Sequence, residues 1–283
     1  MSVNSVNTNV SAIIALESLN RTNAALAATQ KQISTGYRVA DATDDGAAYA
    51  VAQRVRSDVG ALTSANQQLG NVQGLLSTTV SALNDMSDQM NSARAVLVKL
   101  ADGTITGTER TQYVQQYQSY MSNIKSDIQD AGYNGKTLIG NITGSDGTFG
   151  AIGVVRNELG ATYHIATFGA SAFFASINFT GTQLGSAASV QALITTTGTF
   201  LTKTNTLGSE LNTYGSATDY VNNQITYNSD KIDALNSGLG SLIDANLAQE
   251  SALLTSLQIK QQLGTQALSI ANNAPQSLLS LFK

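Results

Sequence analysis

The sequence has no cysteine, no tryptophan, one proline (Pro275) and one histidine (His164). Without thiols there can be neither a disulfide framework nor a thiolate metal site in any compartment. A lone histidine with no cysteine to activate points to a packing or surface residue rather than a base. The scarcity of proline removes the usual interruption to long helices. Charge is scarce too: 12% of residues are Asp, Glu, Lys or Arg, against roughly a quarter in an average globular protein. The net charge of -4 and pI near 4.9 argue against a nucleic-acid partner, which favours a basic face. No stretch approaches the roughly 18 apolar residues of a membrane span, and no basic region followed by an apolar run marks a cleavable signal. Taken alone, these absences suggest the cytoplasm.

What fills the chain is Asn, Gln, Ser, Thr and Ala. A free monomer usually keeps more charge on its surface, so two readings stand: a merely polar protein, or a surface largely covered by copies of itself. At 283 residues the chain could form one large domain or two ordinary ones.

The ends carry helical rhythm. Val3, Val6, Val10 and Ile13, and then Leu19, Leu26 and Ile33, fall within each run in steps of three, four and seven, which predicts one apolar stripe along a first helix. Gly36 suits its left-handed C-cap, and Asp44 and Asp45 are placed to cap the next helix. From Val51 to Leu100 the three-four rhythm is unbroken; about 55 residues at 1.5 Å each make a rod of roughly 80 Å. A shorter helix is expected from Thr108, as cap, to Asp130, and Asn134-Gly135 predicts a tight hairpin. Between about Gly140 and Ser189 the rhythm vanishes. Runs such as Tyr163–Ala166 and Phe173–Phe179 read as short strands and turns. Helical spacing returns at Val190 and continues through Leu247, Leu254, Leu257, Leu268 and Leu278 to Leu281.

The terminal stripes are thin, interrupted by Asn23, Gln30, Asn246, Gln261 and Gly264. In one heptad, two buried apolar side chains contribute roughly 3–6 kcal/mol and helix hydrogen bonds about 1 kcal/mol each. Ordering seven backbones costs about 7–14 kcal/mol. The balance lies near zero, so the ends are expected to be disordered alone and helical once enclosed by neighbouring chains. Alternatively, the polar positions set the register of an ordinary intramolecular coiled coil.

Catalytic chemistry finds no constellation. Asp41, Asp44, Asp45 and Gly46 do not alternate as an EF-hand loop requires, and its twelfth position is Ala52. No phosphate-binding loop and no H-E-x-x-H occur. Asn141-Ile142-Thr143 and Asn178-Phe179-Thr180 match only the short glycosylation pattern. No catalytic, cofactor or metal residue is predicted, and no cofactor.

Both ends resemble flagellin. Val6-Asn7-Thr8-Asn9 is similar to the family's I-N-T-N. Leu19-Asn20 and Ile33–Val39 (I-S-T-G-Y-R-V) resemble N-L and R-L-S-S-G-x-R-I, and Ala42–Ala48 resembles A-x-D-D-A-A-G with the glycine displaced. Tyr133–Ile139 resembles F-N-G-x-x-L-L, Leu207–Asn212 resembles L-G-A-x-x-N, and Asp244–Glu250 resembles D-A-D-x-A-x-E. Gln261–Leu268, Ala271-Asn272, Pro275-Gln276 and Leu278–Phe282 together resemble Q-Q-A-G-x-x-x-L…A-N…P-Q…L-S-L-L. Departures occur at Gly240-Ser241-Leu242, where S-R-I is common, and at Asn246 and Thr213. In the stretch read by the Toll-like receptor for flagellin, Asn91–Lys99, only Arg94 and Val98 match.

The resemblance implies a mainly α fold: a long helical coiled-coil bundle formed by the N- and C-terminal halves, with a small β- and turn-rich central segment. It implies a terminal filament-core domain (1–35 with 245–283), a helical rod domain (36–140 with 190–244) and a variable exposed segment (141–189). Assembly would run through Val6, Val10, Ile13, Leu19, Leu26, Ile33, Leu247, Leu254, Leu257, Leu268, Leu278 and Leu281. The implied partners are other flagellin subunits, the filament cap, hook–filament junction proteins and an export chaperone, with no nucleic acid and no membrane. Unfolded export by the flagellar type III apparatus to an extracellular filament would replace the cytoplasmic expectation. A hook–filament junction protein and a secreted coiled-coil adhesin or translocator remain as alternatives.

Overall fold

The structure is a computed structural model that describes residues 8–279. Its elements run in chain order as α1 (Val10–Thr35), α2 (Gly46–Leu100), α3 (Gly107–Asp130), β1 (Gly132–Tyr133), β2 (Lys136–Thr137), β3 (Thr148–Phe149), β4 (Ile152–Val155), β5 (Thr162–Ile165), α4 (Ala170–Ile177), α5 (Gly181–Leu184), α6 (Ala187–Ile194), α7 (Thr199–Ile243) and α8 (Leu247–Leu279). The chain forms two compact units. One comprises the chain up to Ser57 together with the chain from Asp233 onward; the other is Asp58–Ile232.

The Asp58–Ile232 unit holds the large core. Along α2, Leu62, Ala65, Leu69, Val72, Leu76, Thr79, Leu83, Met86, Met90, Ala93, Leu97 and Leu100 are all buried. That spacing keeps one face of the helix turned inward from Leu62 to Leu100. Tyr117, Met121, Ile124 and Ile128 of α3 and Leu207, Tyr214, Ala217 and Val221 of α7 close over it. Two buried hydroxyls of this core find partners: that of Tyr117 donates to the Ile177 carbonyl, and Thr79 Oγ1 to the Leu75 carbonyl at 2.8 Å.

The small β elements sit in this unit. Strands β1 and β2 pair antiparallel, with Tyr133 opposite Lys136, around Asn134 (φ 49°) and Gly135 (φ 70°). This is the tight hairpin expected from Asn-Gly. Strand β3 adds parallel to β2, and β4 and β5 form a separate antiparallel hairpin with Ile152 opposite Ile165. The Phe173–Phe179 run, expected as strand and turn, is largely helix. In α4, Ala170, Phe173 and Ile177 are buried at three-four spacing, and Asn141 Oδ1 accepts the first-turn amide of Ser171 at 2.8 Å. Eight residues are too few for periodicity to separate a strand from a buried helix.

Among the described residues, no helix is long and apolar enough to cross a membrane.

Candidate functional site

The terminal unit is built around the pairing of α1 with α8. Helix α1 begins at Asn9, whose Oδ1 accepts the Ala12 amide at 3.0 Å while its Nδ2 donates to the Ala271 carbonyl of α8 at 2.6 Å. It ends at Gly36, where φ of 74° and an amide bond to the Gln32 carbonyl form a left-handed cap. Helix α8 starts after Asn246, whose Oδ1 accepts the Gln249 amide at 3.3 Å.

Between these ends, the residues of α1 turned toward α8 are Ala12, Ala15, Leu19, Thr22, Leu26, Thr29 and Ile33. Those of α8 turned back are Glu250, Leu254, Leu257, Gln261, Gly264, Leu268 and Ala271. Both sets keep strict three-four steps, the seam of a two-helix coiled coil. Two of the interruptions noted in the sequence, Gln261 and Gly264, are part of that seam. Gln261 Nε2 donates to Asn23 Oδ1 at 2.8 Å. Gly264 lies so near Leu19 that a Cβ there would stand 3.1 Å from Leu19 Cδ1. A polar cross-pair and a small residue opposite a large one fix which residues face each other. The seam buries little: among the described residues of the two helices, Thr29 and Leu257 alone are fully enclosed.

Further large apolar side chains of the pair point away from the seam. In α1, Val10, Ile13 (56% exposed) and Ile14 (62%) project into solvent; in α8, Ile259, Leu263 (58%) and Ile270 (71%) do so. At about 100° per residue these positions fall roughly opposite the seam on both helices. Each terminal helix therefore has two apolar faces, one used within the chain and one left open.

At their inner ends the two links to the longer helices run side by side. Tyr37 bridges Asp244, the Arg38 amide donates to the Ile243 carbonyl at 2.6 Å, and the Ala245 amide to the Gly36 carbonyl at 3.0 Å. Val39, Ala48, Ala52 and Ile243 form a small core beneath them. Lys31 Nζ donates to Asp41 Oδ2 at 2.7 Å and to both Asp44 oxygens at 2.8 Å. Those bonds hold both carboxyls below their ordinary range, Asp41 with further help from Thr43 and Asp44 with help from the Ala40 amide. They push the Lys31 ammonium up. Of the two acids expected to cap α2, Asp45 does so through the Ala47 and Ala48 amides. Asp44 instead grips Lys31, the cation that closes α1 against the link.

The residues singled out from the sequence divide accordingly. Leu19, Leu26, Ile33, Leu254, Leu257 and Leu268 lie in the seam; Val10, Ile13 and Leu247 are exposed outside it. Val6 and Leu281 fall outside the described residues, as does the side chain of Leu278. Sequence reasoning passed over Ile14, Leu16, Leu253, Ile259, Leu263 and Ile270, which are exposed apolar residues of the same helices. Their signal was available as a second stripe of large residues off the heptad seam. Among the described residues no three His, Cys, Asp or Glu side chains are grouped to hold a metal ion.

Residues 6–143 match the family model for the bacterial flagellin N-terminal helical region, and residues 194–282 the one for the C-terminal helical region. Flagellin FljM of Caulobacter vibrioides is 32% identical over 100% of both chains, and a flagellin of Brucella melitensis 34% identical over 99% of each. A flagellar hook-associated protein of Vibrio parahaemolyticus shares the fold, with a TM-score of 0.55 at 14% identity over 71% of this chain and 100% of that one. With both helical regions matched in order and full-length relatives above 30% identity, the chain belongs to the bacterial flagellin family.

Proposed function

We propose that this chain is a structural subunit of the bacterial flagellar filament, polymerising through the open faces of α1 and α8 into a helical tube that serves as a propeller for swimming. The observation that carries the mechanism is the split use of the terminal helices. Small and polar residues dilute the leucines of their mutual seam, while Val10, Ile13, Ile14, Ile259, Leu263 and Ile270 face outward. Covering one such side chain contributes about 1.5–3 kcal/mol, so contact with neighbouring copies adds on the outer faces what the seam lacks. In this reading the open face on one copy meets a different patch on the next, and such a heterologous contact, when it does not close a ring, propagates as a helix.

In this reading the subunit is not an enzyme. It is exported unfolded through the flagellar type III apparatus, with a chaperone on its C-terminal segment, and works outside the cell. It adds beneath a filament cap and joins the hook through junction proteins. A hook–filament junction role has support from likeness of fold alone, whereas the full-length relatives are flagellins. Electron microscopy of the purified full chain after seeding or salting-out tests the proposal. Long regular tubes are expected; persistent monomers under all such conditions would overturn it.

A further inference from the structure

The β4–β5 hairpin is anchored in two chemically different ways along its length. In the paired strands that form its base, Val154, opposite Tyr163, and Ile165, opposite Ile152, are buried in the main core. At its tip, residues 156–161 contribute no buried apolar side chain, and Leu159 is 82% exposed. Polar groups hold the tip instead. Asn228 of α7, fully buried, donates through Nδ2 to the Arg156 carbonyl at 3.0 Å and to Asn66 Oδ1 of α2 at 2.9 Å; its Oδ1 accepts from Gln224 Nε2 at 2.9 Å. Arg156 Nη1 donates to the Tyr220 hydroxyl at 3.0 Å, and Lys231 Nζ to Glu158 Oε1 at 2.5 Å. Tyr220, Gln224, Asn228 and Lys231 recur at steps of four, four and three, which makes them one stripe along α7.

We propose that the hairpin tip is a strap, latched over the α2–α7 pair by this polar stripe and able to lift as a unit while the hairpin base stays packed. The two ends differ in what opening requires. Lifting the tip exchanges hydrogen bonds for water, a small net change, whereas freeing the base exposes buried apolar side chains. The tip therefore sits at the low end of the scale of local opening. Its internal bonding lets it move without unravelling. Asn157 Oδ1 accepts the Leu159 and Ala161 amides at 3.2 and 2.9 Å, and the Arg156 amide donates to the Ala161 carbonyl at 2.8 Å. The closed latch also carries a built-in cost: Glu158 Oε2 is buried with no hydrogen-bond partner among the described residues, and lifting returns it to water. Opening hydrates Asn228 and Asn66, so the strap couples the hairpin to the packing of the two long helices at that level.

Hydrogen exchange measured by mass spectrometry on the full chain tests this. Amides of residues 157–161 are expected to exchange faster than those of β4 and β5. Lys231→Met, which removes a charged hydrogen bond from the latch, is expected to speed tip exchange about tenfold with base exchange and thermal midpoint unchanged. Asn228→Ala is expected to speed tip exchange at least as much. Tip and base accelerating together in Lys231→Met, or a tip that neither variant moves, would show a hairpin that opens only as one piece and would overturn the proposal.

Discussion

The seam of α2 and the seam between α1 and α8 are written in the same three-four rhythm but filled with different side chains. In α2, Leu62, Leu69, Leu76, Leu83, Met86, Met90, Leu97 and Leu100 are each wholly enclosed. Between α1 and α8 the equivalent places hold Ala12, Ala15, Thr22, Thr29, Gln261 and Gly264 among five leucines and Ile33, with little fully buried. Rhythm makes both amphipathic, but side-chain volume decides whether a helix is stable with the partners its own chain provides. The Asp58–Ile232 unit holds the large buried core. The terminal pair keeps its bulk on the outside, an arrangement that makes sense for helices meant to be surrounded.

Four experiments break or sharpen that contrast. A chain ending after Asp244 loses α8, so filament formation should disappear entirely under electron microscopy while the melting of the Asp58–Ile232 unit persists. Normal filaments from that truncation would remove α8 from the assembly mechanism. Next in size, Leu83→Ala leaves a cavity in the large core and should cost about 2–5 kcal/mol in denaturant unfolding. The same truncation at half-buried Leu26 should cost about 1 kcal/mol or less in the monomer; similar losses at both sites would erase the distinction between the units. Replacing Leu263 and Ile270 by Asp should leave monomer stability within about 0.5 kcal/mol yet raise the concentration needed for polymerisation at least about tenfold. Unchanged assembly would mean that the outer face of α8 is not a contact surface.

The smallest effect concerns pH in the large unit. Asp127 of α3 lies in a cleft with Asp85 and Asp130; burial first, then those two charges, push its carboxyl up to about 6. A carboxyl raised above its unfolded value binds its proton more tightly in the folded state. The folded state is therefore penalised fully above about pH 6, and the penalty fades as pH falls toward the ordinary value of 3.8. Asp127→Asn should raise stability at pH 7 by about 1 kcal/mol, after allowance for solvent screening of a partly exposed group, and should flatten the profile between those two values. A variant no more stable than the parent at pH 7 would assign the cluster no cost.

Much of this was readable beforehand. Gly36 caps α1, Asn134-Gly135 turns the first hairpin, and α2 runs as one helix of 55 residues, because each depends on local geometry or on a long pattern. Phe173–Phe179 misled because its apolar residues satisfy both a two-residue and a three-four spacing over one short run. Asp44 misled because its partner, Lys31, lies outside the segment that local capping rules consider. Among the candidate assembly residues, Val10 and Ile13 were grouped with Leu19 and Leu26 by step count. The structure turns Val10 and Ile13 away from α8 and turns Leu19 and Leu26 toward it.

By itself the sequence determined that a helical rhythm runs near both ends, that the chain lacks thiols and almost all proline, and that its two halves carry paired family motifs. These follow from residue identity and spacing, which are local. Only the tertiary structure decided which apolar face each terminal helix spends on its own chain and which it leaves open, and that Asn228 lies beneath the hairpin tip. A periodic pattern counts the faces of a helix without saying what stands opposite each one; that depends on residues hundreds of positions away, brought together by packing.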